Sequence, residues 1–240
     1  MEKTFLPNKT GETIASLPVD LSLAELLGKI GPAGSKLVYK DAAERVLHAT
    51  RSIWAPKLTY RWLCCEREGK SELTLTCPVS GENGRVDLGF AIRFVEGAEK
   101  VLVGVYTVGH KLEDQAQNAS KRRLYLDSFI YDMIALSLLE KINDRVNKLV
   151  ESYAAARAWG VSPFLSPGSI HGWELDDQPN LVKLLPISEI GVKQSSSGIL
   201  HPFKSLSFLL ATGPGLQATK VGSCCQVCSR RKNCDVRQRA

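Results

Sequence analysis

Residues 124–159 read LYLDSFIYDMIALSLLEKINDRVNKLVESYAAARAW, a stretch without glycine or proline. Nothing in it breaks a helix, and its first half is apolar almost all round. It therefore predicts one long helix whose N-terminal part is enclosed by the rest of the fold. Gly160 and Pro163 end it. An enclosed helix needs a layer with an apolar face against it, and the stretch before it supplies one. LTYRWLCCE (58–66) and ELTLTC (72–77) alternate apolar and polar residues, as half-buried strands do. Ser80-Gly81-Glu82-Asn83-Gly84 forms a turn before VDLGFAIRF (86–94), and Gly97 marks another before KVLVGVYTV (100–108). The last run is apolar on both faces, which predicts an interior strand. Turns this short exclude parallel crossovers, so the four strands predict an antiparallel meander.

The flanks are less regular. Residues 1–16 are polar and turn-rich and read as a loose arm. Helices are expected within 17–55. The first is LAELLGKI, capped by Asp20 or Ser22 and stopped by Gly31-Pro32. The second spans about 40–53, with Ala43, Val46, Leu47 and Ile53 at helical spacing, and Pro56 ends it. After the long helix come the loop Ser162–Gly168, a short helix near 177–185, and strand-like pieces at 189–194 and 205–211. The chain reads as one α+β unit over residues 1–219, with a basic cysteine-rich tail over 220–240. No internal repeat is present.

Composition excludes several classes. With 44% hydrophobic and 23% charged residues, the chain is neither disordered nor low-complexity. No apolar run reaches the ~18 residues that a membrane span needs. The start, MEKTFLPNKTGETIASLP, lacks the apolar region of a secretory signal, so a cytoplasmic protein with reduced thiols is expected. The net charge is +6, but from Lys220 to the end six cations face only Asp235, which leaves the body at +1. No basic surface spreads over the fold, and neither nucleic acid nor a membrane is an expected partner.

Common catalytic templates are missing. The sequence holds no GxxxxGK[ST], GxGxxG, HExxH or GxSxG. His48, His110, His171 and His201 are dispersed without metal-ligand spacing. The tail reads Cys224-Cys225-Gln226-Val227-Cys228, then Cys234. Cys225-x2-Cys228 is a chelating spacing, and Cys234 with Cys224 would complete a set of four. Zinc would staple the tail, whereas an iron–sulfur cluster would make it redox-active; an unligated, readily oxidised tail is the bland alternative. Cys64, Cys65 and Cys77 lie in strands and read as buried structural thiols. Glu140 interrupts the apolar helix between Leu139 and Ile142. It is either a rim carboxylate paired with Lys141 or Arg145, or a buried acceptor aimed at a ligand.

The order of blocks in the second half resembles a known family. VLVGVYTVGHKLEDQ, LYLDSFIYDMIALSLLEKINDRVNKL, FLSPGSIHGWELDDQPNLVKLL and EIGVKQSSSGILHPFKSLSFLLA follow one another as in the activation (reactivation) domain of vitamin B12-dependent methionine synthase. The resemblance covers about residues 86–240 and is nearest to stand-alone forms that end in a cysteine motif. It implies a single α+β domain with a bent, twisted antiparallel sheet and flanking helices. It also implies S-adenosylmethionine as ligand and a cobalamin-binding protein or cobalamin-dependent methyltransferase as partner. Flavodoxin or ferredoxin is implied as electron donor for reductive activation of the corrinoid. By that likeness Glu140 falls on a ligand-contacting glutamate, and Ser166-Pro167-Gly168 falls on the Pro-Gly loop that lies against S-adenosylmethionine. Two positions depart from the pattern: Phe164 stands where the family has an arginine, and Ser169 where it has a tyrosine. Ser195-Ser196-Ser197 also lacks the family's acidic residue. The function implied is an accessory protein that assists reductive activation of a corrinoid methyltransferase. The alternative is a non-catalytic module that binds a corrinoid protein, with a structural zinc tail and no S-adenosylmethionine.

Overall fold

The computed structural model describes residues 12–14, 16–169 and 173–222. The elements run β1 (Glu12–Ile14), α1 (Leu23–Ile30), α2 (Leu37–Thr50), β2 (Lys57–Glu68), β3 (Glu72–Thr76), β4 (Asn83–Asp87), β5 (Lys100–Thr107), α3 (Lys111–Lys121), α4 (Tyr125–Ala155), β6 (Gly160–Val161), α5 (Gln178–Val182), β7 (Lys193–Gln194), β8 (Leu200–His201) and β9 (Ser205–Gly213). β1 falls within the segment read as an arm.

One curled antiparallel sheet runs in the order β4-β3-β2-β5-β9-β6. β2 shares its outer edge between β1, opposite Leu58–Tyr60, and β3, opposite Cys64–Glu68. Alternation along the strands separates two cores. Leu58, Tyr60, Trp62, Leu102, Tyr106, Phe208 and Leu210 face one side, where α4 brings Ile130, Ile134, Leu138 and Ile142. Leu63, Val101, Val103, Val105 and Leu209 face the other, against Trp173, Leu181 and Leu185. Gly104 keeps the first face open for Phe208: a Cβ there would lie 2.4 Å from the Phe208 ring. β5 is the interior strand, between β2 and β9.

The meander is the main correction. β2, β3 and β4 form one, but β5 returns to the far side of β2 instead of pairing with β4. The run 86–94 is not a strand. β4 ends at Asp87, whose Oδ1 accepts the Gly89 N–H at 2.8 Å, and a 3-10 turn follows over Gly89–Val95. Ala91, Ile92 and Val95 are buried from that turn, so its apolar residues pack without extended backbone. Likewise, 189–194 divides into a 3-10 turn, Ile187–Ile190, and the two-residue β7. No helix among the described residues is long and apolar enough to cross a membrane.

Candidate functional site

Ser166-Pro167-Gly168-Ser169 is a tight turn. Proline occupies its second position, Gly168 its third with φ +76°, and the Ser169 N–H donates to the Ser166 carbonyl at 3.1 Å. This is the signature of a type II turn, in which glycine supplies the left-handed residue without strain. The Ser169 hydroxyl donates to the same carbonyl at 2.7 Å. The Gly168 N–H reaches the Trp173 carbonyl at 2.9 Å, and Trp173 is sunk in the second core. Upstream, Leu165 and Leu209 exchange backbone hydrogen bonds at 3.1 and 2.9 Å. The turn is thus hung from β9 at one end and from a buried tryptophan at the other.

A second turn stands beside it. Ser195 and Ser197 hydroxyls lie 2.9 Å apart, and the Gly198 N–H donates to the Ser195 carbonyl at 3.1 Å. A Cβ on Gly168 or on Gly198 would lie 3.5 Å from Leu175, so both turns close on that residue. A buried polar link holds the second turn to the sheet. Ser207 of β9 donates to Gln178 Oε1 at 2.8 Å, while the Gln178 amide and Gln194 Nε2 both donate to the Gly198 carbonyl. Sequence reasoning named the loop Ser162–Gly168 and the Ser195-Ser196-Ser197 stretch, without reading the latter as a turn; it did not name Leu175 or Gln178, whose role depends on the packing of distant segments. Near this link, burial is the first cause that raises the Asp177 carboxyl above its ordinary range.

Glu140 lies on α4. It is half-exposed and pairs with Lys29 of α1, rather than with Lys141 or Arg145. Lys141 is taken by Glu25, 2.6 Å away. Glu140 and Asp144 both act electrostatically on Tyr106 of β5; burial first, then these two carboxylates, holds the Tyr106 hydroxyl above its ordinary pKa. Tyr106 packs on Phe208 with ring centroids 5.9 Å apart, and Phe208 on Phe164 at 5.6 Å. An aromatic row therefore connects the acidic face of α4 to the segment that leads into the Pro-Gly turn. Tyr106 and Phe208 escaped the sequence reading because, inside apolar strands, they look like any core residue.

Phe164 is half-buried within this row and packs against the first core. Cys65 and Cys77 are buried, but Cys64 is only half-buried, with Lys100 Nζ 3.5 Å from its sulfur. The metal candidates Cys224, Cys225, Cys228 and Cys234 lie outside the described residues. Among the described residues, no group of three or more His, Cys, Asp or Glu side chains is placed to hold a metal ion.

The fold has a solved counterpart. A crystal structure of the MetH reactivation domain bound to AdoHcy matches with a TM-score of 0.63 at 13% identity, over 87% of this chain and 81% of that one. The chain has the reactivation-domain fold. No protein-family model matches the sequence, and no curated protein matches it. At this identity the likeness concerns backbone architecture, and the chemistry of the site rests on the residues described above.

Proposed function

We propose that this protein is an accessory to corrinoid-dependent methyl transfer, which docks on a cobalamin-binding methyltransferase and assists its reductive activation. The observation that carries the reading is the reactivation-domain fold over most of both chains, joined to a Pro-Gly turn anchored on β9 at the position the sequence likeness assigns to the ligand loop. A domain of this fold holds AdoHcy, so an adenosyl amino acid such as S-adenosylmethionine is the ligand class to test. In this reading the turn presents backbone to the ligand, and Glu140 lies at the α4 side with Lys29 to be displaced. The corrinoid on the partner supplies the redox and methyl-carrying chemistry; the chain described here contributes docking and orientation. Flavodoxin or ferredoxin, or an iron–sulfur cluster on the tail cysteines, would provide the electron.

One observation favours a second reading, a corrinoid-protein-binding module that does not handle S-adenosylmethionine. Phe164 completes an aromatic row where a carboxylate-binding arginine would be needed, and tail zinc would then have only a structural role. An anaerobic pull-down with the full chain, followed by identification of the captured protein, tests docking. Recovery of a corrinoid protein is the expected result, and none in repeated preparations would overturn the proposal. Metal analysis and visible absorbance of the anaerobically purified chain then separate iron–sulfur from zinc.

A further inference from the structure

The corner where α2 and α4 begin exposes five large apolar residues. Leu37 and Val38, in the first turn of α2, are 71% and 59% exposed. Tyr125, first residue of α4, is 65% exposed, with Leu124 and Phe129 also open to solvent. The two helix starts are held together: Tyr39 meets Phe129 edge-on with centroids 6.4 Å apart, and Arg45 grips Asp127 through both guanidinium nitrogens at 2.9 and 2.7 Å. Exposed apolar residues gathered on two joined helix starts are the kind of feature that marks an interaction site.

Charge surrounds this apolar centre. Lys36 and Lys40 flank it on α2; Lys121, Arg122 and Arg123 flank it where α3 meets α4, and all five are exposed. Among the described residues, none of the five forms an ion pair, whereas Arg45, Arg51, Arg61, Arg67 and Arg85 each do. Arg123 holds φ +61°, where glycine would sit without strain. Neither helix has a side-chain cap, so their N-terminal backbone adds to the positive field. Asp41 and Glu44, also exposed, recur on the Leu37 face of α2.

We infer that this corner is a docking surface for a protein partner whose contact face is predominantly acidic around an apolar centre. The charge pattern selects the occupant. A second copy would set the same excess of positive charge against itself. A layer of anionic lipid would attract the five cations but repel Asp41 and Glu44, which a protein face can meet with cations of its own. Tyr125, Phe129 and the arginines belong to the residue types that anchor protein interfaces. The inference rests on the proposed function, and its partner is the corrinoid-binding protein that the chain captures.

The test uses that captured complex. A zero-length lysine–carboxylate crosslinker with peptide mapping is expected to join Lys36, Lys40 or Lys121 to partner carboxylates. Binding is expected to weaken steeply with salt, and at least tenfold in a Lys36→Glu/Lys40→Glu/Lys121→Glu variant with an unchanged thermal midpoint. Tyr125→Ser should weaken it separately, with little effect of salt on that loss. A complex that forms with crosslinks elsewhere, and that tolerates the charge reversal, overturns the inference and leaves the proposed function standing. Failure to capture any corrinoid protein overturns both. Sedimentation of the chain with phosphatidylcholine–phosphatidylglycerol vesicles, abolished by the same charge reversal, would assign the corner to lipid and also overturn it.

Discussion

Phe164 is the residue at which the proposed ligand binding is most directly tested. It fills the place where the sequence likeness calls for an arginine, and its ring lies 5.6 Å from that of Phe208. Losing the partner of a buried charge costs about 3–5 kcal/mol, so S-adenosylmethionine is expected to show no saturation in the micromolar range by calorimetry, and Phe164→Arg to bind it more tightly. Micromolar binding by the unaltered chain, with no gain from Phe164→Arg, would show that another cation serves the carboxylate. Cys65 offers a pH test. Burial first, then neighbouring Cys64, pushes its thiol up to about 12. A raised folded pKa means that the stability from this group is complete below the ordinary thiol range, near ~8.5, and is lost as pH rises through about 12. Stability should decline on the alkaline side, and iodoacetamide should label Cys65 only after unfolding; equal labelling rates in folded and unfolded protein would refute its burial. The sequence identified Cys65 as a buried thiol, but not the exposure of Cys64, because adjacent strand residues face different surroundings and only the sheet order says which face is covered.

At the scale of the element, α1 was legible, with Asp20 or Ser22 expected as its cap; the structure selects Ser22. Ser22 accepts the Glu25 N–H at 3.2 Å, and Glu25 returns to the Ser22 N–H at 2.8 Å, a reciprocal capping box. Ser22→Ala should cost about 1 kcal/mol, read as a lower denaturation midpoint; an unchanged midpoint would argue against the box. The Glu25 carboxyl is drawn down to about 2, chiefly by Lys141 and then by Ser22. Its contribution is therefore present above the ordinary carboxylate range and is lost as pH falls through about 2. At the other end of the helical layer, Ala158 follows α4 with φ +54°. Glycine tolerates that conformation, so Ala158→Gly should be neutral or stabilising, by up to about 1 kcal/mol. A clear loss of stability would mean that the Ala158 methyl makes a packing contact. The helix α3 went unread because KLEDQAQNASK buries only Leu112, Ala116 and Ala119, too weak an apolar stripe to stand out. The strand expected at 86–94 failed for a related reason: alternation described Val86 and Leu88 well, but the positive φ of Gly89 turns the chain into a 3-10 segment.

At the scale of the whole molecule, α4 joins all parts of the first core, and Ile134 is fully buried within it. Ile134→Asp places an unpaired charge there and should unfold the domain; a soluble variant with an unchanged thermal midpoint would overturn the enclosure of α4. The sequence alone determined that enclosure, since a helix apolar all round must be surrounded. It also determined the antiparallel pairing of strands, the interior place of the run 100–108, and the loop over Ser162–Gly168, because these follow from local periodicity and from the backbone preferences of proline and glycine. Tertiary structure decided the rest. It placed β5 beside β2 rather than β4, brought the Gly168 and Gly198 turns onto Leu175, gave Glu140 to Lys29, and joined the starts of α2 and α4 into one basic and apolar corner. Most of these pair residues far apart in the chain, and their meeting depends on how the curled sheet and the helices pack, which no local pattern encodes.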